Sequence, residues 1–82
     1  AAALAAEAES VKTATEGTRN HRLNRAAFAL GQLVAAGYLD PDVVVATLTE
    51  AALAAGLTAA ETRATIASGL RAGTARPRHP AR

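Results

Sequence analysis

Eighty-two residues allow one small domain with a thin core. Half of the residues are hydrophobic, yet there is one Phe, one Tyr, no Cys and no Met, which excludes a disulfide framework and a cysteine-based metal site. The net charge of +2 is unevenly spread: residues 1–16 carry one Lys against three Glu, 17–39 three Arg, 40–61 two Asp and two Glu, and 62–82 five Arg. Folding that brings the two basic blocks together would make a basic face suited to a nucleic acid or nucleotide; ordinary charge mixing is the plainer reading. The Ala-rich start without Met leads us to expect a piece of a longer protein. The longest uncharged stretch, Ala26 to Leu39, is too short to cross a membrane, and no signal peptide is visible, so a cytoplasmic location is expected.

Ala3 to Thr15 reads as a first helix, with a short stripe of Leu4, Ala8 and Val11, and Gly17 as its left-handed cap. Thr18 is placed to cap a second helix running to about Ala36. Leu23, Ala26, Ala27, Leu30, Leu33 and Val34 share one face of it. Its first turns carry Arg19, Asn20, His21, Arg22, Asn24 and Arg25, donors that suit an anion at a helix start. Phe28 falls on the opposite side near His21, Asn24, Arg25 and Gln32. A helix packed on two sides explains it; base stacking is the sharper alternative. Gly37 stops the helix.

Asp40-Pro41-Asp42 has a spacing used by metal-binding acids, but the residues fit a helix start better: Asp40 as cap, Pro41 at the first position, Asp42 favouring the dipole. The third helix is expected over Pro41 to Ala55, with Val44, Leu48, Ala51 and Ala55 inward, and Gly56 ending it. Thr58 and Glu61 form a capping box for a fourth helix to about Ala72, closed by Gly73. Its inner face is Ala59, Thr62, Ile66, Gly69 and Leu70. Gly69 inside a helix costs roughly 1 kcal/mol relative to Ala, and close approach of another backbone or a ligand would account for it. The arginine- and proline-rich residues 74–82 read as a flexible basic tail.

The expectation is therefore all-α: a compact bundle of about four short antiparallel helices, with a linker-like helix over residues 1–16, a bundle core over 17–73 and a disordered basic tail. No nucleophile elbow surrounds Ser10 or Ser68, His21 and His79 are isolated, and no phosphate-binding glycine loop is present, so no catalytic centre is expected. The third and fourth helices could form a helix-turn-helix, but the start of the fourth offers Glu61 and, besides Arg63, none of the side chains that read base edges.

Gly17-Thr18-Arg19-Asn20-His21-Arg22-Leu23 followed by an apolar helix resembles the C-terminal helical module of phage and plasmid primase-polymerases of the archaeo-eukaryotic primase type. A second similarity follows in order: Gly56-Leu57, Glu61, Ala64-Thr65-Ile66-Ala67-Ser68-Gly69-Leu70, Gly73 and Arg76-Pro77-Arg78. Together they cover roughly residues 16–78. The resemblance implies a module without its own catalytic centre or cofactor. It would hold the single-stranded DNA template and the initiating nucleoside triphosphate, ATP or GTP with a divalent metal, for a parent primase-polymerase domain that often precedes a helicase.

On that reading Arg19 presents a planar fork to phosphate, Asn20 donates to phosphate or base, and Arg22 and Arg25 extend the surface. Ser68, Arg71, Arg76 and Arg78 would join them if the fourth helix ended near the start of the second. A structural bridge from Arg19 and Asn20 to a helix end is the competing explanation. A docking module between the polymerase domain and a helicase or other subunit, using the first helix and Leu53, is the competing function.

Overall fold

The computed structural model describes residues 2–78; Ala1 and residues 79–82, including His79 and Arg82 of the basic tail, lie outside the described residues. Four helices follow in order: α1 (Ala2–Lys12), α2 (Arg19–Ala35), α3 (Pro41–Ala55) and α4 (Ala59–Thr74). The all-α bundle expected from periodicity is thus observed. Its core gathers Val11 of α1, Leu23, Ala26, Ala27, Leu30 and Leu33 of α2, Val44, Leu48, Ala51 and Ala52 of α3, and Ile66 of α4. Each fully buried Leu or Val contributes about 1.5–3 kcal/mol by leaving water. α2 supplies more of these side chains than any other helix and touches all three others.

Most helix ends follow the local chemistry. The Asp40 carboxylate accepts from the Asp42 N–H at 2.8 Å, with Pro41 at the first turn, which uses the acidic pair as a cap. Thr58 Oγ1 accepts from Glu61 N–H at 3.1 Å while a Glu61 oxygen accepts from Thr58 N–H at 3.2 Å, a complete capping box. Gly37 and Gly56 take φ of +89° and +106° after α2 and α3, the left-handed stop that disfavours other residues.

Three ends depart from expectation. α1 stops at Lys12 rather than Thr15: the Thr13 hydroxyl donates to the Glu9 carbonyl at 2.9 Å, and the β-branched Thr13 and Thr15 disfavour continuation. Gly17 consequently does not cap α1; it lies in a turn closed by Thr18 N–H to the Thr15 carbonyl at 3.0 Å. Thr18 does not cap α2 with its side chain either, because its hydroxyl turns back to the same Thr15 carbonyl at 2.9 Å. Nor does Gly73 close α4. It is buried inside that helix, against α2.

That contact defines the fold's main seam. A Cβ on Gly73 would overlap the Phe28 carbonyl oxygen outright and come within 3.1 Å of the Gln32 nitrogen. One on Gly69 would lie 2.6 Å from the Ala27 Cβ, and one on Gly31 2.9 Å from the Leu70 carbonyl oxygen. Gly31, Gly69 and Gly73 therefore bring two helix backbones into direct contact, and the α2–α4 pair is the most extensive in the molecule. The order of partners also fixes direction. Asn20 meets Thr65, Asn24 meets Gly69, and Phe28 meets Gly73, so α2 and α4 run parallel. The arrangement that would have put the end of α4 beside the start of α2 is not the one formed. Alternation through α3 requires this: Arg19 at the start of α2 lies against Gly56 at the end of α3, so α2 and α3 are antiparallel and α4 returns in the direction of α2.

Candidate nucleic-acid interface

The parallel seam sets side chains from both helices along one continuous groove. On α2, Asn20, Asn24, Phe28 and Gln32 recur every four residues and so form one ridge. On α4, Thr65, Ser68 and Ala72 face them. The first half of the groove is lined by Gly17, Asn20, His21, Asn24, Ala64, Thr65 and Ser68. The second half, about 410 Å³, is lined by Asn24, Arg25, Phe28, Ala29, Gln32, Ser68, Ala72 and Arg78. Asn24 and Ser68 belong to both halves, which makes the groove continuous.

Asn20 Nδ2 donates to Thr65 Oγ1 at 2.8 Å across the top of the seam. This bond ties the Arg-Asn segment to the Thr-Ile-Ala-Ser segment of α4, and an exposed pair of this kind adds about 0.5–1 kcal/mol. At the other end the Arg78 backbone N–H donates to the Gln32 carbonyl at 3.2 Å. The chain after α4 thereby crosses to α2 and delivers the Arg78 side chain to the groove.

Charge is polarised around this seam. α1 and α3 carry Glu7, Glu9, Asp42 and Glu50 against Lys12, whereas α2, α4 and the segment to residue 78 carry Arg19, Arg22, Arg25, Arg63, Arg71, Arg76 and Arg78 against Glu61. A polyanion approaching the molecule would be turned toward the α2–α4 side.

Of the residues expected to bind, Asn20, Arg25, Ser68 and Arg78 line the groove. Arg22, Arg71 and Arg76 are exposed and outside it. Arg19 is half-buried in a recess that adjoins the first half of the groove at Gly17 and Asn20. Its Nη1 lies 3.3 Å from the position a Cβ would take on Gly56, in a small recess with Gly17, Asn20, Leu57 and Glu61. Its Nε is buried without a hydrogen-bond partner. A cation at the end of α3 is favoured by the helix dipole, so the bridge to a helix end fits Arg19; Asn20 is exposed on the seam, and its side chain bridges to Thr65 within α4 instead. Gln32 and Thr65 line the groove without having been singled out for binding, while Asn24 and Phe28 had been noted as an anion donor and a possible stacking residue and were left out of the expected binding set. The four-residue spacing of the α2 amides and Phe28 was the signal. Phe28 is half-buried against α4 and stands outside the main hydrophobic cluster, a position that fits packing on a second side of α2 and fits base stacking as well.

A second concavity, between α3 and α4, is apolar: Val45, Thr49, Ala59, Thr62, Ile66, Ala67 and Leu70, with Arg63 the one charged residue lining it. Thr62 is buried there and its Oγ1 has no hydrogen-bond partner. Among the described residues no group of three or more His, Asp or Glu side chains is placed to hold a metal, and no helix is long and apolar enough to cross a membrane. Comparison with family models, with characterised proteins and with solved structures finds no match for the chain.

Proposed function

We propose that this domain is a non-catalytic module that holds single-stranded DNA and an initiating nucleoside triphosphate for a primase-polymerase, with the α2–α4 groove as its binding surface. The observation that carries the reading is the seam itself. The two segments that resemble the primase-polymerase module lie in different helices, and the Asn20–Thr65 hydrogen bond joins them along one groove. The groove mixes amides, two hydroxyls, an imidazole, a phenyl ring and two arginines. That mixture suits a partner made of phosphates and bases and suits an apolar helix poorly.

The physical role would be positional. Starting a primer without an existing 3′ end requires gathering template, nucleotides and metal ions, and prior binding of one component lowers the entropy lost at that step. Phosphate would be met by Arg25 and Arg78, which line one half of the groove. Arg19 packs the start of α2 against the end of α3 beside the groove. The triphosphate's divalent metal would come with the nucleotide and the parent enzyme.

The test is binding of a fluorescent oligothymidylate, measured by anisotropy over a range of salt. Binding should weaken with salt, and Arg25→Ala and Arg78→Ala should each lower the log–log slope by about 0.7, the value for one phosphate contact on a single strand. Equal slopes for wild type and both variants would remove the reading. A docking module is the second reading, favoured by the apolar α3–α4 groove and by the exposed Val43, Val45 and Leu53. Sedimentation showing a concentration-dependent mass, together with no oligonucleotide binding, would select it.

A further inference from the structure

The half of the groove around Phe28 has a composition that phosphate binding does not explain. An anion needs donors. It has no use for an aromatic ring, and the ring is not needed by the core, whose members are Val, Leu, Ile and Ala. Beside Phe28 stand Asn24, Gln32 and Ser68, whose side chains make no hydrogen bond to other described residues, unlike Asn20, which is engaged with Thr65. Carboxamides and a hydroxyl each offer both a donor and an acceptor. Arg25 comes from α2 and Arg78 from the segment after α4, so cationic groups reach this spot from two separate parts of the chain.

Resting on the proposed function, we infer that Phe28 is a stacking platform for one unpaired nucleobase, with Asn24, Gln32 and Ser68 facing the base edge and Arg25 and Arg78 the flanking phosphates. The tight glycine contact is what makes this geometry possible. Because Gly73 sits directly on the Phe28 carbonyl, α4 is close enough for Ser68 to stand with Asn24 on the exposed walls of the groove, beside the half-buried Phe28. A base within a duplex keeps both faces stacked and its edge paired, so the subsite selects single strands. The amides and hydroxyl can each reverse donor and acceptor roles, so the subsite tolerates any of the bases. Stacking supplies affinity without sequence choice.

The experiment compares wild-type protein binding to an oligothymidylate and to an abasic oligomer with the same number of phosphates. The abasic oligomer should bind about five- to 160-fold more weakly, the range given by loss of one base–aromatic stack, while keeping the same salt slope. Phe28→Leu should weaken the thymidylate by a similar factor and abolish the difference between the two oligomers. Phe28→Trp should retain binding and show indole fluorescence quenched by the thymidylate and not by the abasic oligomer. Circular dichroism melts establish that both variants fold. Equal binding of the two oligomers by wild type, with a normal salt slope, would overturn the stacking subsite and leave phosphate binding standing. Absence of salt-sensitive binding to either oligomer would overturn both.

Discussion

Replacing Gly73 with alanine tests the seam where the helices come closest. In a helix interior the change should stabilise by about 1 kcal/mol, because glycine loses more backbone freedom on folding than alanine. The structure reverses that sign. The new methyl would overlap the Phe28 carbonyl oxygen and lie 3.0 Å from the Phe28 carbonyl carbon. Both atoms are backbone, held in α2, so no side chain can rotate away and the helices must separate. Overpacking of a close-packed contact costs about 1–3 kcal/mol and more where backbones must move. Taking about 3 kcal/mol for this case, less about 1 kcal/mol of propensity, leaves a net loss of about 2 kcal/mol. For a domain of this size that lowers the melting temperature by roughly 8–16 °C. Thermal and urea unfolding followed by circular dichroism measure it. A Gly73→Ala variant as stable as wild type, or more so, would show that α2 and α4 do not meet there. Gly69→Ala provides a partner experiment: its methyl meets the Ala27 Cβ at 2.6 Å, so Ala27→Gly should recover part of the loss, though not the 2.9 Å approach to the Asn24 carbonyl oxygen.

Further outcomes follow from individual side chains. Thr62 is buried with an unpartnered hydroxyl, so Thr62→Val, which keeps the shape and removes that hydroxyl, should raise stability by about 1 kcal/mol; a loss on urea unfolding would mean the hydroxyl is bonded. Arg19→Ala should lower stability by about 0.3–1 kcal/mol, through the lost cation at the end of α3, and leave the salt slope of oligonucleotide binding unchanged; a reduced slope would place Arg19 on the ligand. Asp40→Ala removes the cap of α3 and should cost about 1 kcal/mol by the same melts, whereas Asp40→Asn should cost little, and equal losses for both would contradict a capping role.

The elements themselves were legible because each was marked by local chemistry. Asp40-Pro41 and the Thr58–Glu61 pair state where helices begin, and the Leu23, Leu30 and Leu33 stripe states which face of α2 turns inward. Thr18 misled because a threonine hydroxyl before a helix has two acceptable uses, and here the turn at Thr15 takes it. The seam was harder to read. Hydrophobic periodicity weights large side chains, so Gly31, Gly69 and Gly73 do not register as a face although the α2 and α4 backbones meet at them. Gly69 had a visible anomaly, a glycine in a helix interior, and close backbone approach was the correct explanation. Gly73 lacked one, since a glycine near a helix end has an ordinary use as a stop. The direction of α4 beside α2 decided which arginines share a site; it follows from the two short links around α3, which make successive helices alternate and so set α2 and α4 parallel, a consequence the expected meeting of the end of α4 with the start of α2 did not respect. Thus Ser68 joined Asn24, while Arg71 and Arg76 stayed outside the groove.

The most direct measurement is a nitrogen-15 NMR titration of the whole chain with oligothymidylate at low salt, following backbone and side-chain amides together. The account predicts that shifts concentrate on the side-chain amides of Asn20, Asn24 and Gln32 and on the backbone of Ser68 and Arg78, with α1 and the outer face of α3 unmoved. Shifts confined to α1 and α3, or spread evenly over exposed arginines without the α2–α4 groove, would contradict it.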